Sequence, residues 1–164
     1  IDFSGTKAAL ETNIQTRKAA QDILKNNGAL AIFPAGGVST IPSFKDKVAR
    51  DTAWQPFVAK LIQMNQATVV PVFFEGQNSR FFQISSLISP TLRTALFFKE
   101  LSNKIGAHIG VHIGKPIDYE IELSVFKNRG GLCHHLHEKT YALGGMTTLP
   151  PPKKAFRTNQ ARKK

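Results

Sequence analysis

The chain has 164 residues, 41% of them hydrophobic and 20% charged, which is enough for one ordinary globular domain and excludes a disordered chain. Its 22 basic and 11 acidic residues give a formal charge of +11, but six of the basic residues lie between Lys153 and Lys164, leaving only +5 on the rest. One cysteine excludes an internal disulfide framework, and no apolar stretch approaches the roughly 20 residues that span a bilayer. Ile1-Asp2-Phe3 reads as mid-protein sequence and points to a fragment or a processed product.

In chain order, residues Thr6 to Asn26 predict a helix with Leu10, Ile14, Ala20, Ile23 and Leu24 on one side, stopped by Asn27-Gly28. Ala29 to Phe33 reads as a short strand covered on both faces, broken at once by Pro34-Ala35-Gly36-Gly37. Pro42 to Thr52 is polar and reads as a loop. Pro56 to Gln66 predicts a helix with Pro56 in its first turn and Phe57, Val58, Leu61 and Ile62 on one face. Thr68 to Phe74 reads as a strand, with Pro71 demanding an edge position or a bulge. After a polar loop from Glu75 to Arg80 come a helix from Pro90 to Lys104, a half-buried strand alternating through Ile109, Val111 and Ile113, and a helix from Leu132 to Leu143. Pro150-Pro151-Pro152 closes the ordered part, and residues 150–164 read as a basic, disordered tail.

Helices alternating with strands predict an α/β fold with a mostly parallel central sheet flanked by helices. In such sheets ligands collect beyond the carboxyl ends of the strands, where the loops after Phe33 and Phe74 would lie together. Small residues at Gly36, Gly37, Val38 and Ser39 let backbone N–H groups approach a ligand, although an ordinary turn fits the same pattern. There is no phosphate-loop signature and no G-x-S-x-G nucleophile elbow. Cys133-His134-His135-Leu136-His137-Glu138 presents no single helical face with three ligands, so it reads as a solvated helix face and no metal is expected. The doublets Phe81-Phe82 and Phe97-Phe98 read first as core. Beside Arg80, Arg93 and Lys99 they also suit an acyl-chain groove or a surface resting on anionic lipid.

Several blocks in register resemble one family. Gly28 to Gly36, with Phe33-Pro34-Ala35-Gly36 at its end, resembles the F-P-x-G block of the glycerolipid acyltransferase superfamily, of the lysophosphatidic acid acyltransferase type. Val69-Val70-Pro71-Val72 is similar to its later V-P-V block. Trp54-Gln55-Pro56, Phe73-Phe74-Glu75-Gly76-Gln77-Asn78-Ser79 with Phe82, Leu92 to Leu96, Glu100-Leu101, Asn103-Lys104 and Ile113-Gly114-Lys115-Pro116-Ile117 are similar to its bacterial, hemolysin-like branch, related to ornithine-lipid acyltransferases. The similarity runs from about Asp2 to Leu143.

The resemblance implies a glycerol-3-phosphate acyltransferase-like α/β domain over residues 1–149, truncated at its N-terminus. It implies an acyltransferase of lipid metabolism and phospholipid biosynthesis, peripheral on the cytoplasmic face of a membrane. The enzyme would move a fatty acyl group from acyl carrier protein or acyl-coenzyme A to a lipid hydroxyl, such as that of a lysophospholipid or lyso-ornithine lipid, without a cofactor. The superfamily's catalytic H-x4-D pair is not in this chain and is expected upstream of Ile1, so no catalytic residue is assigned here. Pro34, Ala35, Gly36, Gly37, Val38 and Ser39 are the expected substrate-binding loop, with Asn78 and Arg80 as polar contacts from the neighbouring loop. Where many members carry glutamate in or after F-P-x-G, this chain has Ala35 and Gly37, so an acceptor of hydrogen bonds is missing and an inactive member is one outcome. The competing class is a non-catalytic basic module on anionic membrane or nucleic acid. The concentration of charge in the tail counts against nucleic acid.

Overall fold

The structure, a computed structural model, describes residues 6–146. The basic tail and the three prolines before it lie outside the described residues. The first helix, α1 (Lys7–Lys25), forms where the sequence places it. Its stop is built differently: Asn27, not Gly28, takes the left-handed conformation (φ 57°), and the Gly28 N–H returns to the Ile23 carbonyl at 2.8 Å. Only the C-terminal half of its apolar side is partly covered. The Arg17 guanidinium lies over the Phe57 ring at 5.1 Å and Gln21 reaches Met64, whereas Leu10 and Ile14 stay exposed.

The second helix, α2 (Pro56–Asn65), begins at Pro56, whose missing N–H costs nothing in a first turn, and ends at Gln66 in the left-handed region (φ 48°). It buries Val58, Ala59, Leu61 and Ile62. The strand β1 (Val72–Phe74) follows, then α3 (Arg80–Ile88), α4 (Pro90–Ser102), β2 (Val111–Ile113), a single π-helical turn (Tyr119–Leu123) and α5 (Arg129–Leu143). The core is the α2–α5 seam, where Val58, Ala59 and Ile62 meet Leu132, Cys133 and Leu136, with Ile117 and Leu123 closing it.

The expected mostly parallel sheet is not what forms. Among the described residues the sheet has two strands, antiparallel, with Val72 opposite Ile113 and Phe74 opposite Val111. The reason lies in the connection. A single helix between two strands carries the chain back across a sheet and makes the next strand parallel. Here two consecutive helices, α3 and α4, are joined through Ser89 and pack against one another, so the chain returns to the side it left. The sequence reading recognised only the second of them. The truncated acyltransferase-like α/β architecture is therefore replaced by a mainly helical fold with a small antiparallel ribbon.

Two further expectations change. Ala29–Phe33 joins no sheet among the described residues, and Phe33 is 79% exposed rather than covered. The alternation through Ile109, Val111 and Ile113 does form β2, but neither face is buried. Pro71 acts as foreseen. Pairing passes from Val72 with Ile113 to Val69 with Ile117, three residues on one side against four on the other, a local bulge around Gly114. Pro71 has no N–H to give, yet its carbonyl accepts from Gly114 at 2.9 Å, and a Cβ at Gly114 would fall 2.8 Å from the Pro71 ring.

The α3–α4 pair is locked by one buried carboxylate. Glu100, 4% exposed, accepts the Ser79 N–H at 2.8 Å and the Ser79 Oγ–H at 2.5 Å, while Ser79 Oγ caps the Phe82 N–H. Burial acts to raise the Glu100 pKa, but the Ser79 hydrogen bonds together with Lys104 and Lys99 leave it below the ordinary 4.5. A pKa lower in the folded than in the unfolded chain stabilises above 4.5 and loses that contribution as pH falls through the folded value. Glu100→Ala, which strands the Ser79 N–H, is expected to cost about 1–3 kcal/mol in urea unfolding at pH 7, with the difference from the parent shrinking as pH falls below the ordinary 4.5.

Candidate functional site

A cleft of about 850 Å³ opens between the 30–39 segment, α2, the 67–78 segment and α5. Its walls are mainly apolar: Leu30, Phe33, Leu61, Val69, Phe73 and Leu136 are representative. That volume and lining fall within the range of small-molecule sites.

Both loops singled out in the sequence reach this cleft. Pro34, Val38 and Ser39 line it from the first, and Gly76, Gln77 and Asn78 from the second. The other expected contacts do not. Ala35 is buried beneath the loop and lies outside the lining, as do Gly36 and Gly37. Gly36 (φ 66°) makes the turn itself, its N–H returning to the Phe33 carbonyl at 3.2 Å, and a Cβ at Gly37 would meet open space. Arg80 turns away from the cleft to grip the 43–47 loop, donating to the Asp46 carbonyl at 2.5 Å and the Phe44 carbonyl at 2.9 Å. There it holds that loop.

Hydrogen bonds fix the two rims to each other. The Gln55 N–H donates to the Pro34 carbonyl at 2.9 Å, anchoring the first loop to the start of α2. Gln77 spans to the 47–49 segment, its Oε1 accepting the Ala49 N–H at 2.8 Å and its Nε2 donating to the Lys47 carbonyl at 3.0 Å. Lys104 Nζ donates to the Gln77 carbonyl at 2.8 Å, tying the end of α4 to the same rim.

Ser39, Asp51 and Tyr141 gather on the cleft wall, and the last two were not foreseen. Asp51 accepts from the Ser39 hydroxyl through Oδ1 and from the Trp54 indole N–H through Oδ2 at 3.0 Å. The Asp51 N–H donates to the Tyr141 hydroxyl at 2.9 Å. Burial first, and then the Asp51 charge, push the Tyr141 pKa up to about 12, so the phenol keeps its proton at neutral pH. Behind Tyr141 the His137 ring stacks at 4.4 Å and meets the edge of Trp54 at 5.2 Å. Both His137 ring nitrogens are buried and unpartnered among the described residues, and burial lowers its pKa against a partial offset from Asp51.

Comparison with models of protein families, with curated proteins and with solved structures finds no match. The functional reading therefore rests on this chain's own residues.

The α5 cluster is not the solvated face expected of it. Cys133 packs into the core, where burial raises its thiol pKa, and His137 is 3% exposed. His134 pairs with Glu138 at 3.5 Å one turn on, and His135 with Glu122 at 2.8 Å. Across the ribbon, His112 Nε2 meets Glu75 Oε1 at 2.5 Å, a solvent-exposed cross-strand pair. Asp51 and Tyr141 escaped sequence reasoning because Asp51 lies in a polar loop and no local spacing singles out Tyr141, while His137 was read as part of a solvated helix face. The spacing of Asp51 and Trp54 was the one local hint.

Proposed function

We propose that this chain handles lipid in an acyltransferase working at a membrane surface, moving a fatty acyl group from an acyl thioester to the hydroxyl of a lipid such as a lysophospholipid or lyso-ornithine lipid. The acyl donor would be acyl carrier protein or acyl-coenzyme A, as the sequence resemblance implies. One observation carries the reading: the two loops of that resemblance line a single apolar cleft that bears a compact set of hydroxyl and carboxylate groups. Apolar walls suit a fatty chain, and the polar groups suit the carbonyl and hydroxyl chemistry at its head.

The α3–α4 pair supports a peripheral position on a bilayer. Of the four phenylalanines only Phe82 is buried. Phe81, Phe97 and Phe98 are exposed, Phe98 by 74%, together with Ile88, Leu92 and Leu101. Arg93 and Lys99 stand among them, and the carboxylate of α4, Glu100, is buried. Apolar side chains interleaved with cations suit an anionic interface. No described helix is long and apolar enough to cross a membrane.

The deciding experiment is transfer of radiolabelled palmitate from palmitoyl-coenzyme A or palmitoyl-acyl carrier protein to lysophospholipid in anionic vesicles, by the full-length protein. Transfer is expected, and Val38→Trp, which places an indole in the cleft, should reduce it at least about tenfold through lost substrate packing. Absence of transfer by folded protein, or transfer indifferent to Val38→Trp, overturns the reading.

A further inference from the structure

The strand β2 leaves one edge of the ribbon unpaired. The Glu75 N–H donates to the Gly110 carbonyl at 2.8 Å and the Gly114 N–H to the Pro71 carbonyl at 2.9 Å, so Gly110, His112 and Gly114 turn their backbone groups toward β1. Backbone groups alternate sides along a strand. Those of Ile109, Val111 and Ile113 therefore point away from β1, and no backbone partner meets them among the described residues. Residues 67–78 line the cleft, whereas of residues 109–114 only Ile109 does, so the open edge is that of β2. Edge strands commonly carry a lysine, a proline or a bulge that blocks further pairing. Ile109-Gly110-Val111-His112-Ile113 has no proline, lysine or carboxylate, and the bulge begins beyond it at Gly114.

This stretch is also its own complement. Turned about a two-fold axis through Val111 and laid antiparallel on itself, it sets Ile109 opposite Ile113 and Val111 opposite Val111. All three have outward backbone groups, so each opposed pair exchanges N–H and C=O. The side chains brought together are β-branched and exposed in the single chain, a favourable cross-strand pairing. Lys115 falls opposite Ala107, so no like charges meet there. On the other face the same register sets His112 opposite Gly110. The Glu75 side chain already lies over Gly110, where a Cβ would stand 2.6 Å from its carboxyl carbon. Glu75 Oε1 is taken by His112 of its own chain, and Oε2 lies over Gly110, one strand away from the incoming His112.

We propose that β2 is a self-association edge, through which two copies of this chain pair antiparallel about Val111 and join their two-stranded ribbons into one four-stranded sheet. Glu75 of each copy then reaches across its own Gly110 toward His112 of the second copy. The contact uses the same patch on both copies and closes at the dimer. It goes beyond the lipid reading of the cleft and does not depend on it.

The test is sedimentation of the full chain over a wide range of concentrations, with amide hydrogen exchange followed in the same samples. The mass is expected to rise toward twice that of the single chain, and exchange at Ile109, Val111 and Ile113 to slow as it does. Val111→Lys should weaken dimerisation at least about tenfold, because two ammonium groups then meet at the axis. Val111→Ile, which keeps a β-branched side chain there, should leave it intact. If Val111→Lys fails to fold, the exchange measurement on the unaltered chain decides. A chain that stays single at every concentration, a dimer indifferent to Val111→Lys, a dimer whose Ile109, Val111 and Ile113 amides exchange as in the single chain, or open-ended growth into fibres overturns the proposal.

Discussion

Phe82→Ala is expected to lower stability by about 3–5 kcal/mol, the cost of emptying a phenylalanine-sized space in a packed interior. Phe82 is the largest fully buried side chain among the described residues, 0% exposed. It occupies the first turn of α3, capped by Ser79 Oγ, which is itself held by Glu100. Beside it Gln83 is equally buried and accepts the Ile41 N–H at 3.0 Å, joining α3 to the segment that follows the Ser39 loop. Losing Phe82 therefore empties the interior beside the Ser79–Glu100 link of the α3–α4 pair and the Gln83 contact to Ile41. Since a domain holds only about 5–15 kcal/mol in all, a large fraction of the chain should unfold near 37 °C. A urea midpoint shifted downward with an unchanged slope is the expected measurement. Phe81→Ala, one residue earlier on the exposed side, should change stability by less than about 0.5 kcal/mol.

The second large effect is acid-dependent and centres on His137. Its imidazole is buried between Trp54 and Tyr141, and burial, partly offset by Asp51, lowers its pKa below 6.5. The other charged or titratable groups acting on it are His134, Glu138 and Arg50. The unfolded chain takes up a proton near pH 6.5 while the folded chain stays neutral, so below 6.5 the unfolded state binds more protons and stability falls with pH. One such group contributes up to about 1.4 kcal/mol per pH unit, levelling off once pH passes the folded pKa. His137→Phe keeps an aromatic ring between Trp54 and Tyr141 and removes two unpartnered nitrogens. It is expected to hold or raise stability at pH 7.5 and to remove this part of the decline between pH 6.5 and 5. An identical decline in parent and variant would show that another group is responsible.

The helices α1, α2, α4 and most of α5 were legible because apolar spacing at helical intervals, with Pro56 and Pro90 in first turns, is a local signal. Local chemistry also foretold the bulge beside Pro71. The short α3 was missed, and with it the direction of the sheet. Periodicity reports which side chains are apolar, not which backbone segment supplies the opposite hydrogen bonds, so Ala29–Phe33 looked like a covered strand when its residues 30–33 line a cleft.

By itself, then, the sequence determined the main helices, the Pro71 break and the two loops that reach one cleft, each through the conformational preferences of neighbouring residues. The tertiary structure decided the antiparallel pairing, the burial of His137 and the meeting of Ser39 and Asp51 with Tyr141, 90 residues further along the chain. Contacts at that separation follow from how helices pack, and the spacing of residues along a segment carries no record of them.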